Sequence, residues 1–132
     1  MKNWALIIED DLSLKPLWEM ILKRRVEEWG FDWAISSEEG RRMCMTSMGN
    51  GRPYSLVVVD LFLAGSETGL DFLTSSEALT THAPIVLVSA IDERKIKENY
   101  DELVRDTPVL SKPLNIPKCE RVLDEILSKI AS

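Results

Sequence analysis

Short aliphatic runs alternate with segments of helical period along almost the whole chain, and few architectures accept that alternation. Trp4–Ile8 (WALII), Leu56–Val59 (LVVV) and Ile85–Val88 (IVLV) are nearly unbroken apolar stretches. A strand covered by helices on both faces has no solvent side on which to place polar residues, so such runs mark the centre of a parallel sheet. Asp32–Ile35 and Val109–Ser111 are shorter and more polar, which suits outer strands. Strand and helix in five-fold alternation predict one open, doubly wound α/β sheet joined by right-handed crossovers. Ligands of such sheets bind beyond the carboxyl ends of the strands, near the point where strand order reverses.

The helical segments carry their own marks. Leu14, Leu17, Trp18, Ile21, Leu22, Val26 and Trp29 share one helical face, with Gly30 as a stop. Ile116, Cys119, Val122, Leu123, Ile126, Leu127 and Ile130 do the same in the last segment, where Pro117 falls in the first turn and its missing N–H does no harm. Ser36 and Glu39 stand in capping-box spacing ahead of Met43 and Met48. Gly69 opens a short helix through Leu73, and Asp92 starts a charged segment holding Ile96, Tyr100, Leu103 and Val104. With 132 residues and no repeat or linker, a single domain over 1–132 is expected.

Composition narrows the function classes. A net charge of −6 repels the phosphate backbone that drives nonspecific nucleic-acid binding. No apolar run approaches the roughly 18 to 20 residues of a membrane span, and the start turns acidic at Glu9-Asp10-Asp11, so a cytoplasmic protein with no membrane partner is expected. Cys44 and Cys119 lack CxxC spacing and are joined by one histidine, His82, which cannot make a zinc site. They read as reduced thiols packed in or near the core. His82 reads as a loop residue, the tryptophans as packing groups, and Lys23-Arg24-Arg25 as a solvated face.

The strand ends carry the chemistry. Glu9-Asp10-Asp11 follows the first strand, Asp60 the third, Ser89 the fourth and Lys112-Pro113 the fifth. In a parallel sheet these ends share one edge, so residues far apart in sequence meet in one shallow pocket. Carboxylates gathered there repel one another unless a hard cation neutralises them, and oxygen donors with room for water suit Mg2+ or Mn2+. Asp60 is then the candidate nucleophile, Ser89 a hydroxyl donor and Lys112 a cation, a set able to hold a phosphoryl group during in-line transfer.

In this order and spacing the residues resemble the receiver domains of two-component response regulators, the CheY-like superfamily. The likeness rests on Glu9-Asp10 after LII, Asp60 after LVVV, Gly69 before a helix, Ser89-Ala90 after IVLV, and Lys112-Pro113, and it runs from Trp4 to Ile130. It implies a flavodoxin-like (βα)5 fold with strand order 2-1-3-4-5 and no output domain in this chain. Asp60 would be the phosphoacceptor, with Mg2+ held by Glu9, Asp10, Asp60 and the backbone carbonyl of Phe62. Ser89 and Lys112 would bind the phosphoryl group, supported by Ala90 and a cis Pro113, with Asp11 outside the metal's contacts. The donor would be a sensor histidine kinase or histidine phosphotransfer protein, and the output an unidentified protein partner; a homodimer is one arrangement the resemblance allows. Such a phosphoprotein assists its own phosphorylation and dephosphorylation and is no turnover enzyme.

Several positions depart from the family. The aromatic residue usual three positions before the lysine is Val109, which cannot make the same rotamer swing. Ala64 replaces a proline common after the acceptor, Gly69 stands one residue late, and Arg105-Asp106-Thr107-Pro108 replaces the usual Gly-Ala. Phe62 and Ile91 are apolar where many receivers are polar, which predicts a shielded, slowly hydrolysing acyl phosphate.

Three rivals stand beside this reading. A degenerate receiver would act as a phosphorylation-independent interaction module. A metal-dependent phosphatase of the haloacid-dehalogenase type would need a second aspartate where Phe62 stands. A flavodoxin-like FMN carrier would need a hydroxyl- and glycine-rich loop where Glu9-Asp10-Asp11 would repel an anion.

Overall fold

The structure is a computed structural model that describes residues 3–25, 29–62, 69, 72–73, 83–99 and 107–131. In chain order the elements are β1 (Trp4–Ile8), a 3-10 turn (Leu12–Leu14), α1 (Lys15–Arg25), β2 (Gly30–Ala34), α2 (Ser37–Gly49), β3 (Leu56–Asp60), β4 (Ile85–Ser89), α3 (Glu93–Asn99), β5 (Val109–Ser111) and α4 (Ile116–Ala131). All the strand pairs are parallel and the order is β2-β1-β3-β4-β5. The predicted topology holds.

Alternation along each strand sorts the core into two layers. Leu6, Ile8, Val57 and Val59 face one side, where they pack with Cys44 of α2, Phe72 and Ile96 of α3. Ala5, Ile7, Leu56 and Val58 face the other, against Trp18, Ile21 and Leu22 of α1 and Leu123 and Ile126 of α4. The strands are aliphatic on both faces because both faces are covered.

Local signals explain most element ends. Ser36 caps α2 by accepting the Glu39 N–H at 3.1 Å, while the Glu39 carboxylate accepts from Ile35 N at 3.3 Å, one residue before the cap position of an ideal capping box. Gly30, read above as a helix stop, is the first residue of β2, its N–H on the Asn3 carbonyl at 2.9 Å, and residues 26–28 before it lie outside the described residues. A Cβ there would meet the Trp4 ring at 2.5 Å, so the glycine serves the strand's approach to Trp4. Hence β2 begins two residues before the predicted Asp32 and ends at Ala34, leaving Ile35 exposed beyond it. Trp29 lies outside α1, which is described only to Arg25. Val26, Ala64, His82, Tyr100, Leu103, Val104, Arg105 and Asp106, all singled out above, lie outside the described residues.

The thiols of Cys44 and Cys119 are free and buried, as expected, and Trp18 is fully buried. Among the described residues no helix is long and apolar enough to cross a membrane.

Candidate functional site

Strand order reverses between β1 and β3, so the loops leaving these two strands diverge and open a crevice at their carboxyl ends. Glu9 and Asp10 leave β1 there, and Asp60 is the last residue of β3. Each offers a carboxylate oxygen, and the three oxygens lie within 4.8 Å of one another. Glu9 and Asp60 are buried, 2% and 4% exposed, and Asp10 is half-buried.

Lys112 enters the same crevice from the end of β5. Its ammonium donates to Glu9 Oε1 at 2.7 Å and to Asp60 Oδ2 at 2.8 Å. Backbone donors hold the other oxygens: Phe62 N–H reaches Asp60 Oδ1 at 2.9 Å and Asp11 N–H reaches Glu9 Oε2 at 3.1 Å. Both carboxylates are therefore fixed at each oxygen. The Lys112–Pro113 peptide is cis, as the resemblance implied.

Ser89 closes β4 and is fully buried; its Oγ accepts the Ile91 N–H at 2.9 Å. The Ser89 carbonyl accepts the Lys112 N–H at 2.8 Å, so the residues that supply hydroxyl and ammonium are joined by one ladder bond. Gly69 packs directly on the backbone of Asp60 and Leu61, where a Cβ would overlap the Asp60 carbonyl oxygen. This close approach is the reason for glycine at 69.

Electrostatics follow from burial. Loss of solvent is the largest influence on Glu9 and pushes its carboxyl up to about 7, against the bonds from Lys112 and the Asp11 N–H; Asp60 nearby adds to the rise. For Lys112 burial favours the neutral amine, but the bonds to Asp60 and Glu9 outweigh it and hold the pKa above the ordinary lysine value. Asp11 is exposed and held low by Ser13, whose hydroxyl and N–H donate to its Oδ1 at 2.6 and 3.0 Å. Its carboxylate caps the 3-10 turn, and its backbone serves Glu9.

The donor set fits a hard divalent cation. All three groups are carboxylates within one ion's reach, and a buried carboxyl poised near neutrality gains from added positive charge.

Two features escaped the reading of the sequence. Tyr54 is buried beneath β2 and donates to Asp32 Oδ2 at 2.6 Å; Arg52 reaches the same oxygen at 3.6 Å and stacks on Trp4, 3.8 Å from the ring centroid. The acidic residue on the edge strand was the available signal. The second is the exposure of Leu12 and Ile35 beside the acidic crevice, which periodicity alone does not report.

No protein-family model matches the sequence, and no curated protein matches it. Solved structures do. A response regulator receiver protein from Sinorhizobium medicae superposes with a TM-score of 0.76 at 18% identity, over 96% of this chain and 95% of that one. A CheY-like response regulator receiver domain protein from Methanospirillum hungatei gives 0.75 at 19%, over 98% and 96%. The response regulator TrrA from Thermotoga maritima, solved in complex with Mg2+ and BeF, gives 0.71 at 18%, over 94% and 98%. The chain has the fold of response regulator receiver domains, matched over nearly its whole length.

Proposed function

We propose that the chain, over 1–132, is a phosphoacceptor receiver domain of a two-component system or phosphorelay, with Asp60 as acceptor. The convergence of Glu9, Asp10, Asp60 and Lys112 at the switch point of this fold carries the reading. Its donor is a phosphohistidine on a sensor histidine kinase or phosphotransfer protein, and its output is a change of protein partner. The chain assists its own phosphorylation and dephosphorylation, so the protein is a carrier and not a turnover enzyme on an external substrate.

Glu9, Asp10 and Asp60, with the Phe62 carbonyl, would hold Mg2+ or Mn2+, which when bound neutralises charge on the phosphoryl oxygens. The Asp60 carboxylate attacks phosphorus; an O–P bond forms as the N–P bond to the donor imidazole breaks, and the imidazole leaves with the electron pair. Phe62 N–H and Lys112 orient the carboxylate before attack. Lys112 then pairs with a phosphoryl oxygen. Ser89 Oγ already accepts from Ile91, which leaves its own proton to donate to the phosphoryl group.

A second reading, a phosphorylation-independent interaction module, is favoured by Val109. It is 3% exposed in the aliphatic layer beside Leu87 and Ile96, with no ring to swing. The phosphatase reading is weakened by Phe62, whose apolar side chain is exposed where a second carboxylate would be needed.

The test is intact-mass measurement after incubation with phosphoramidate and Mg2+. The parent gains one phosphoryl group that hydroxylamine removes, and Asp60→Asn gains none. Equal labelling of both proteins would refute the reading, and no labelling of either would leave the interaction module ahead.

A further inference from the structure

The proposed chemistry gives Asp11 no part, yet this exposed residue stands in a chain of hydrogen bonds that ends at Asp60. Its N–H donates to Glu9 Oε2 at 3.1 Å, the Lys112 ammonium donates to Glu9 Oε1 at 2.7 Å, and the same ammonium reaches Asp60 Oδ2 at 2.8 Å. The Asp11 carboxylate serves the 3-10 turn instead. Its Oδ1 accepts from Ser13 N–H at 3.0 Å and from the Ser13 hydroxyl at 2.6 Å, and the Asp11 carbonyl accepts the Leu14 N–H at 3.1 Å. An aspartate that bonds the backbone two residues ahead fixes its own φ and ψ. Asp11 is held extended at φ −86° and ψ 97°, and in that conformation its N–H faces Glu9.

Glu9 is thereby fixed at three points, because its own N–H also lies on the Ala34 carbonyl at 2.9 Å. Both of its side-chain oxygens are engaged, one by a backbone donor and one by Lys112. Asp60 is held in the same manner by Phe62 N–H and Lys112. A carboxylate so held does not swing to close both oxygens on one ion. Ca2+ gathers about six to eight oxygens, often through such two-oxygen contacts, whereas the smaller Mg2+ takes single oxygens in octahedral array and keeps several waters.

From this arrangement we infer that Asp11 is a positioning residue that selects the ion: its cap on the 3-10 turn aims its own N–H at Glu9, keeps that carboxylate from turning, and so favours Mg2+ over Ca2+. The inference rests on the proposed phosphoacceptor reading and adds what tunes its ion site. Asp11 acts through its bond geometry and not through its charge. The Asp11 carboxyl is in solvent, where its field is screened, and the group it aims is a neutral N–H. Asparagine at this position keeps the accepting oxygen and loses the charge; alanine loses both. The two substitutions therefore separate a cap from an electrostatic effect.

The test measures Mg2+ and Ca2+ affinity by calorimetry on the full chain, stripped with EDTA and free of any phosphodonor, for the parent, Asp11→Asn and Asp11→Ala. The parent should bind Mg2+ the more tightly. Asp11→Asn should keep both Kd values within about twofold, while Asp11→Ala should weaken Mg2+ about tenfold, the scale on which groups that orient a ligand act. Ca2+ should weaken by no more than about twofold in Asp11→Ala, because a freed Glu9 can offer it a second oxygen, so the preference for Mg2+ shrinks several-fold. Amide exchange in EDTA gives a readout without the ion: the N–H at position 11 should exchange faster in Asp11→Ala and as in the parent in Asp11→Asn. The inference is overturned if Asp11→Ala keeps the parent's Mg2+ affinity, if Asp11→Asn falls as far as Asp11→Ala, or if both ions weaken by one factor. Any of these in a parent that binds Mg2+ and labels at Asp60 with phosphoramidate strikes the inference alone. A parent that neither binds Mg2+ nor labels removes the phosphoacceptor reading, and the inference with it.

Discussion

Lys112 Nζ lies 2.8 Å from Asp60 Oδ2 and 2.7 Å from Glu9 Oε1, so one cation joins two buried carboxylates contributed by different strands. Removing that cation strands both. Lys112→Ala in metal-free buffer is expected to lower unfolding stability by about 2–4 kcal/mol, since breaking a buried pair leaves uncompensated charge. Urea denaturation in EDTA measures it, and a midpoint equal to the parent's would show that the crevice tolerates its own repulsion.

Acid–base behaviour follows from Glu9. Its folded-state pKa, about 7, lies above the ordinary 4.5, so between those values the folded chain binds more protons than the unfolded one. Stability in EDTA should therefore fall as pH rises through this window, with the full loss in place above about 7. Lys112 adds no slope there, because its raised pKa contributes stability that is lost only as pH rises past the ordinary lysine value. Glu9→Gln should flatten the profile; denaturation at about pH 5 and about pH 8 decides, and an unchanged slope assigns it elsewhere.

A cation that binds only the folded state stabilises it by mass action, by about 1.4 kcal/mol when the free ion is about ten times its Kd. Titrating Mg2+ should raise the thermal midpoint of the parent, and Asp10→Asn should remove most of that rise. If calcium-free, EDTA-treated Asp10→Asn responds to Mg2+ as the parent does, Asp10 is not a ligand.

Phe62 and Ile91 stand half in solvent beside Asp60 and Ser89. An apolar neighbour slows the approach of water to an acyl phosphate, so Phe62→Asn should shorten the lifetime of phosphorylated Asp60 several-fold. The decay is read by phosphoryl loss after donor removal, and identical decay curves would dismiss the shielding.

The two thiols give a check on the core. Burial pushes Cys44 and Cys119 each up to about 11, and both are buried. Iodoacetamide at about pH 8 should spare the native protein and modify both cysteines in urea, because the thiolate is the reactive form. Rapid native labelling at either position would contradict this packing.

The central strands were legible because a strand buried on both faces cannot hide its composition: WALII, LVVV and IVLV lie where their apolar runs put them. The edge strand was harder. β2 reads GFDWA, with Asp32 engaged by Tyr54 and Gly30 against Trp4, and neither contact shows in a one-dimensional pattern. The convergence of Asp60, Glu9 and Lys112 was legible because parallel topology turns strand ends into neighbours, so it needed only the order of elements. What stayed hidden depends on backbone direction, such as the Phe62 and Asp11 N–H groups that hold the carboxylates. The exposure of Leu12 is of the same kind, since a residue in a 3-10 turn follows no long period.

The bond from Lys112 N–H to the Ser89 carbonyl makes the hydroxyl-bearing and ammonium-bearing residues two teeth of a single comb. A shift in β5 register would break that bond and carry the Lys112 ammonium away from Glu9 and Asp60, while Ser89 stays where β3 holds β4. Tolerance to insertion should accordingly be lowest in the few residues preceding Val109, remote in sequence from Asp60 though they are.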